Sequence, residues 1–162
     1  MMYKIFLGLG ANIGDREGNI RRAIALLDVS VKHIETAPFY SSQAVGYTAQ
    51  PQFLNTVVCG DTALGPEGLL KFVKEIERRI GRVERFRWGP REIDIDILFY
   101  GNMGYTSGTL EIPHPRLHAR DFVLRPLADL EAEFLCPHCG RTAAEMRDVL
   151  PKEDLSVIEQ LG

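Results

Sequence analysis

The 162-residue chain is 45% hydrophobic and 25% charged, with a net charge of -3, close to globular averages. That balance excludes wholesale disorder and a fibrous repeat, and it argues against a broad basic surface for the nucleic-acid backbone. The length suits one domain, expected over 1–162, and no apolar run reaches the roughly 18 residues of a membrane span. The start reads as a strand and not as a signal peptide, so a cytoplasmic protein is expected.

In chain order, residues 3–9 alternate as a strand, followed by a Gly-Ala-Asn-Ile-Gly turn. Asp15 then serves as N-cap of an amphipathic helix reaching residue 28 or 32. A second strand is predicted over Ile34–Ser42 and a third over Phe53–Thr62, separated by a polar loop, 43–52, long enough to act as a lid. Pro66, Glu67, an apolar face from Leu69 to Ile80 and a closing Gly81 mark a second helix. A basic loop, a strand over Glu92–Tyr100, a short strand near Leu110–Ile112, a helical turn around 122–130 and a last helix near 142–150 complete the chain. The strand-helix-strand-strand-helix-strand order predicts an α+β, ferredoxin-like fold with an antiparallel-rich sheet, and C-terminal helices covering its second side.

The chemistry concentrates in the segment Arg87-Trp88-Gly89-Pro90-Arg91-Glu92-Ile93-Asp94-Ile95-Asp96. Strand alternation sends Ile93, Ile95 and Ile97 to the core and puts Asp94 and Asp96 together on the other face, their Cα atoms roughly 6.6 Å apart. Two like charges on one strand face repel, an arrangement that a divalent cation would compensate. The six arginines between Arg78 and Arg91, with Phe86 and Trp88 among them, suit phosphate oxygens and a planar ring. His114, between two prolines, is a positioned donor, and Arg116 and Arg120 at helical spacing could share a phosphate. An isolated DxD on a strand is usually a solvent-facing pair, and the neighbouring arginine loop is what lifts this one above that reading.

Weaker signals compete. Gly8-Leu9-Gly10-Ala11-Asn12-Ile13-Gly14 imitates a dinucleotide fingerprint, with one residue too many before the last glycine, and reads better as a tight turn. Cys136-Pro137-His138-Cys139 could hold a metal or cycle as a disulfide, but no second CxxC completes four thiolates, and a plain turn is favoured. The DxD could clamp a sugar nucleotide, and the arginine-aromatic loop could bind RNA.

Taken together, GLGANIGD, the FLNTVV strand, GRVERFRWGPREIDIDILFYG and IPHPRLHARDFVLRPLADL resemble the 6-hydroxymethyl-7,8-dihydropterin pyrophosphokinases over residues 3–150. The resemblance implies transfer of the terminal diphosphate of ATP to the pterin hydroxymethyl group, releasing AMP. It implies two Mg2+ ions on Asp94 and Asp96, with Arg82, Arg91 and His114 completing the catalytic set. Glu77, Arg82, Trp88, Arg91, His114, Arg116 and Arg120 are expected at ATP. Ser42, Val45, Phe53, Asn55, Trp88 and Phe122 are expected at the pterin, with Asn12 near the site. The partners implied are the two small substrates, with no nucleic acid and no membrane, and the chain is expected to be a monomer.

Overall fold

Residue alternation along the first strand decides what lies on each side of the molecule. The computed structural model describes residues 1–161. In β1 (Tyr3–Ala11), Ile5, Leu7, Leu9 and Ala11 enter one apolar core, while Phe6, Gly8 and Gly10 face the other way. The strand runs two residues beyond the expected 3–9, so Gly8 and Gly10 belong to the sheet, and the dinucleotide-type turn is absent.

α1 (Arg16–Leu27) begins where Asp15 Oδ1 accepts the Gly18 N–H at 3.0 Å. Its Ile20, Ala23 and Leu27 are buried against the sheet. The expected strand over Ile34–Ser42 is two strands, β2 (Val31–Thr36) and β3 (Phe39–Ser42). The break falls at Ala37-Pro38, where proline has no N–H to give the ladder. Both pair with β4 (Phe53–Thr62), which has the bounds its sequence predicts. α2 (Pro66–Ile80) closes on Gly81 at φ +109, a conformation that glycine adopts without a Cβ penalty.

β5 (Asp94–Tyr100) lies at one edge of the main sheet, whose order is β5-β1-β4-β3 and then β8 (Val157–Leu161), with β2 also on β4. Every pairing is antiparallel. β6 (Tyr105–Thr106) and β7 (Glu111–Ile112) form a separate hairpin. The expected turn around 122–130 is a full helix, α3 (Asp121–Glu131), and α4 (Ala143–Asp148) starts at a capping box between Thr142 and Glu145. β8 has no counterpart in the sequence reading. The turn before it is held by buried Asp121, whose carboxylate accepts the Ser156 and Val157 N–H groups and the Ser156 hydroxyl at 2.7–2.8 Å.

Two cores result. α1 and α2 cover one sheet face, where Ile93, Ile95 and Ile97 meet Val73 and Ile76. α3 and α4 cover part of the other, where Phe6, Val57 and Leu98 meet Leu124 and Leu127. Each such side chain removed from water contributes about 1.5–3 kcal/mol. The part of the second face that α3 and α4 leave open carries glycine, asparagine and aspartate, and this is where the cleft forms.

Candidate active site

The floor of the cleft is written in the register of three strands. Gly10 on β1 pairs with Asn55 on β4 and with Asp94 on β5, and Gly8 pairs with Val57 and Asp96. With no side chains at Gly8 and Gly10, the central strand is a trough between an amide on one side and two carboxylates on the other. A Cβ on Gly10 would come within 3.0 Å of Asn55 Oδ1 and 3.6 Å of the Phe53 ring. Gly10→Ala is therefore expected to raise the KM for the cyclic acceptor about tenfold with a smaller change in kcat, as steady-state kinetics would measure.

Asp94 and Asp96 emerge on the same side, as strand alternation requires, and both line the cleft. Asp94 Oδ1 is held by Arg82 Nη1 at 3.0 Å and Arg91 Nη1 at 3.3 Å. Asp96 Oδ2 lies 3.8 Å from Arg120 Nη1 and 4.0 Å from His114 Nε2. Its side chain is 34% exposed and lines the cleft. Burial first and the Asp94 charge second push its carboxyl up to about 7.

Among the described residues no group of three or more His, Cys, Asp or Glu side chains converges on one point. A hard cation such as Mg2+ needs no such cage, because it is commonly held by one or two carboxylates with phosphates and water filling its shell. The pair fits that role: two facing carboxylates, one of them disfavoured from ionising by burial and then by its neighbour's charge, are relieved by a dication.

His114 is neutral at pH 7, its pKa lowered to about 4 by burial and then by Arg120. Its Nδ1 accepts the Arg116 N–H at 3.1 Å, which leaves Nε2–H as a donor on the Asp96 side. Arg116 stacks on Trp88, 4.5 Å from guanidinium carbon to ring centre.

Glu77 does not line the cleft. It is buried under β5, where Oε2 accepts the Ile95 N–H at 2.7 Å, between the two aspartates, and Oε1 meets Arg82 at 2.9 Å. Burial raises its pKa. Arg82 likewise sits beneath Asp94 and outside the cavity lining.

Ser42, Val45, Phe53, Asn55, Trp88, Arg91, Arg120 and Phe122 all line the cleft. Asn55 Nδ2 donates to Ser42 Oγ at 2.8 Å. The lid loops meet above: Gln50 Nε2 donates to the Trp88 carbonyl at 2.7 Å, and Tyr47 meets Phe86 edge-on at 5.0 Å. Trp88 has φ +67, a left-handed conformation uncommon for a bulky residue, and Gly46 lies close against its ring.

Three residues were undervalued in the sequence. Gly8 and Gly10 form the trough, and only the strand register reveals it. Asn12, fully buried, ties both lids to β1: Nδ2 donates to Gln50 Oε1 at 2.8 Å, and Oδ1 accepts the Arg91 N–H at 2.8 Å.

Arg85 is engaged as a structural tie within the loop. Its guanidinium grips Glu92 at 2.8 and 2.7 Å, and those bonds lower the Glu92 carboxyl to about 2. A depressed carboxyl stabilises the fold above its ordinary range, and that contribution is lost as pH falls towards 2. Glu92→Gln at neutral pH is expected to cost the loop about 1 kcal/mol, seen as roughly fivefold faster hydrogen exchange over residues 82–91.

By class, a ferredoxin-like α+β sheet carrying this cleft is the framework of an ATP-dependent diphosphokinase. The chain belongs to the 7,8-dihydro-6-hydroxymethylpterin-pyrophosphokinase (HPPK) family, whose model matches residues 6–132. It is 43% identical over 136 residues to the 2-amino-4-hydroxy-6-hydroxymethyldihydropteridine pyrophosphokinase of Aquifex aeolicus, covering 84% of this chain and 85% of that one. The enzyme of the same name from Bacillus subtilis is 42% identical over 127 residues, 77% of this chain and 76% of that one. Among solved structures, Plasmodium falciparum HPPK-DHPS A437G with pteroate superposes with a TM-score of 0.74 at 15% identity, which bears on the fold alone. That alignment covers 91% of this chain and 43% of the Plasmodium chain.

Proposed function

We propose that this chain performs its family's reaction in the cleft over β1, with Asp94 and Asp96 as the seat of two Mg2+ ions. The reaction transfers the diphosphate of MgATP to the hydroxymethyl group of 6-hydroxymethyl-7,8-dihydropterin, releases AMP and serves folate biosynthesis. The observation that carries the site assignment is the row Asn55-Gly10-Asp94: a ring-reading amide and a metal-holding carboxylate stand on flanking strands, with an empty position between them.

Bound Mg2+ supplies charge neutralisation at the phosphates. The protein supplies the rest. Asp94 and Asp96 would hold the ions, and Arg82 and Arg91 hold Asp94 in orientation. Arg91, Arg116 and Arg120 offer forked donors to phosphate oxygens, and His114 adds a neutral Nε2–H donor that brings no competing positive charge. Asn55 and Ser42 present polar atoms to the edge of the pterin, while Phe53, Trp88 and Phe122 provide flat apolar walls. Closure of loops 43–52 and 81–91 excludes water, which would otherwise accept the diphosphate.

The protein acts as a single-domain monomer in the cytoplasm. Three cysteines cannot all pair within one chain, which suits a reducing compartment, and no helix among the described residues is long and apolar enough to cross a membrane. Incubation with MgATP and the hydroxymethylpterin is expected to yield AMP and pterin diphosphate in equal amounts by chromatography. ADP as the nucleotide product would overturn the reading.

A further inference from the structure

One buried carboxylate takes no part in holding substrate or metal. Asp121 opens α3 between Arg120 and Phe122, both of which line the cleft, while its own side chain lies outside that lining. Its oxygens accept three hydrogen bonds, all from the C-terminal segment: the Ser156 hydroxyl at 2.7 Å and the Ser156 and Val157 N–H groups at 2.8 Å each. A carboxylate leaves water at low cost only where such donors satisfy it, and its place at the start of an 11-residue helix adds the favourable end of the helix dipole.

The two residues it grips lead straight to the opposite wall of the cleft. The Ser156 carbonyl accepts the Gln43 N–H at 2.9 Å, and Val157 stands opposite Ser42 in the β3–β8 pairing. Ser42 Oγ in turn accepts from Asn55 Nδ2 at 2.8 Å. Hydrogen bonds and covalent steps therefore run without a gap from the base of Phe122, through the C-terminal segment, to the Asn55 amide. Residues 150–161 themselves contribute nothing to the lining.

β3 is four residues long and lies in the sheet between β4 and β8. A strand that short takes its position from the strands on either side, and Asp121 pins β8 at the end nearest the cleft. Helix α3 has other anchors: the Tyr40 hydroxyl donates to Asp129, and Leu124 and Leu127 are buried in the second core. Arg120 is held from its own side, its N–H donating to the Leu117 carbonyl at 3.2 Å. Loss of the Asp121 carboxylate thus slackens the join between the two walls and leaves the fold and the metal side in place.

We propose, on the reading of this cleft as a hydroxymethylpterin site, that Asp121 is a positioning residue for the acceptor. By holding Ser156 and Val157 it sets the distance between the Phe122 wall and the Ser42–Asn55 edge, so that the C-terminal segment completes a subsite it never enters. The ring contacts on both walls are made alike before and during transfer, so the effect of Asp121 falls on acceptor binding and not on the chemical step.

Steady-state kinetics and hydrogen exchange on the full chain test this. Asp121→Ala is expected to raise the KM for the hydroxymethylpterin about tenfold, with kcat and the KM for ATP each within about threefold of wild type. Asp121→Asn is expected to restore the pterin KM to within about twofold, because its Oδ1 accepts the two backbone N–H groups and its Nδ2 donates to Ser156 Oγ. Ser156→Ala, which removes one donor of the three and keeps the strand, is expected to raise that KM about threefold. In the unliganded protein the Gln43 amide is expected to exchange about tenfold faster in Asp121→Ala than in wild type. An unmoved pterin KM or Gln43 exchange rate in Asp121→Ala, an equal rise for both substrates, a loss confined to kcat, or an asparagine variant no better than the alanine one would each overturn the proposal, while wild-type turnover left the reading of the cleft standing. Were Asp121→Ala not to fold, an unmoved pterin KM in Ser156→Ala would overturn it equally. Absence of turnover in the wild type would remove the reading and the proposal together.

Discussion

Asp96→Ala is expected to lower kcat by about 10²–10³-fold, the cost of removing one preorganised electrostatic group from a transferring centre, with the fold intact by circular dichroism. The side chain faces the cleft and supports no packing, so the loss falls on chemistry. Asp94→Ala is expected to match it and also to free Arg82 and Arg91 from their shared carboxylate. Without metal, stability moves the other way. The folded Asp96 carboxyl stands at about 7 against an ordinary 3.8, so its ionisation disfavours the folded state and stability declines as pH rises through that interval. Asp96→Asn removes this slope, and urea midpoints in chelator at about pH 5 and about pH 8 would report it. A variant that kept its turnover would remove the aspartate pair from the reaction.

Glu77→Ala carries the largest expected loss of stability, about 3 kcal/mol by urea unfolding. Its carboxylate satisfies the buried Ile95 N–H and pairs with Arg82, which in turn orients Asp94. Removing it leaves a backbone donor unpaired inside the protein and a guanidinium short of one partner. Glu77→Gln preserves an acceptor for Ile95 and is expected to recover more than half of the stability, but less of the kcat, since Arg82 then loses a charged anchor. Equal losses in the two variants would mean that the Ile95 hydrogen bond is not what Glu77 contributes.

Much of this was legible in residue order because the signals were local. The β4 and α2 bounds followed from alternation, Pro66 and Gly81, and the shared face of Asp94 and Asp96 followed from the two-residue period of a strand. The break at Pro38 was legible in principle, but residues of strand character on both sides of it, Ile34 and Thr36 before and Phe39 and Tyr40 after, hid two strands inside one. What stayed hidden depended on pairings far apart in sequence. No local pattern places Gly10 between Asn55 and Asp94, joins Asn12 to Arg91, or ties Asp121 to Ser156. The arginine loop was legible as cationic but not in its division of labour, because the Arg85–Glu92 clamp is a matter of loop geometry.

The trough along β1 also acts as a ruler. Asn55 and Asp94 stand two ladder spacings apart, roughly 9.6 Å, a span dictated by backbone hydrogen bonding and not by lid position. Rearranging the flaps can change how quickly the partners meet, but in the proposed reaction the gap between the acceptor side and the metal side is set by the sheet. A longer or shorter acceptor would be accommodated by recutting the floor, and redesign of acceptor choice should begin at positions 8 and 10, where a single methyl alters that gauge.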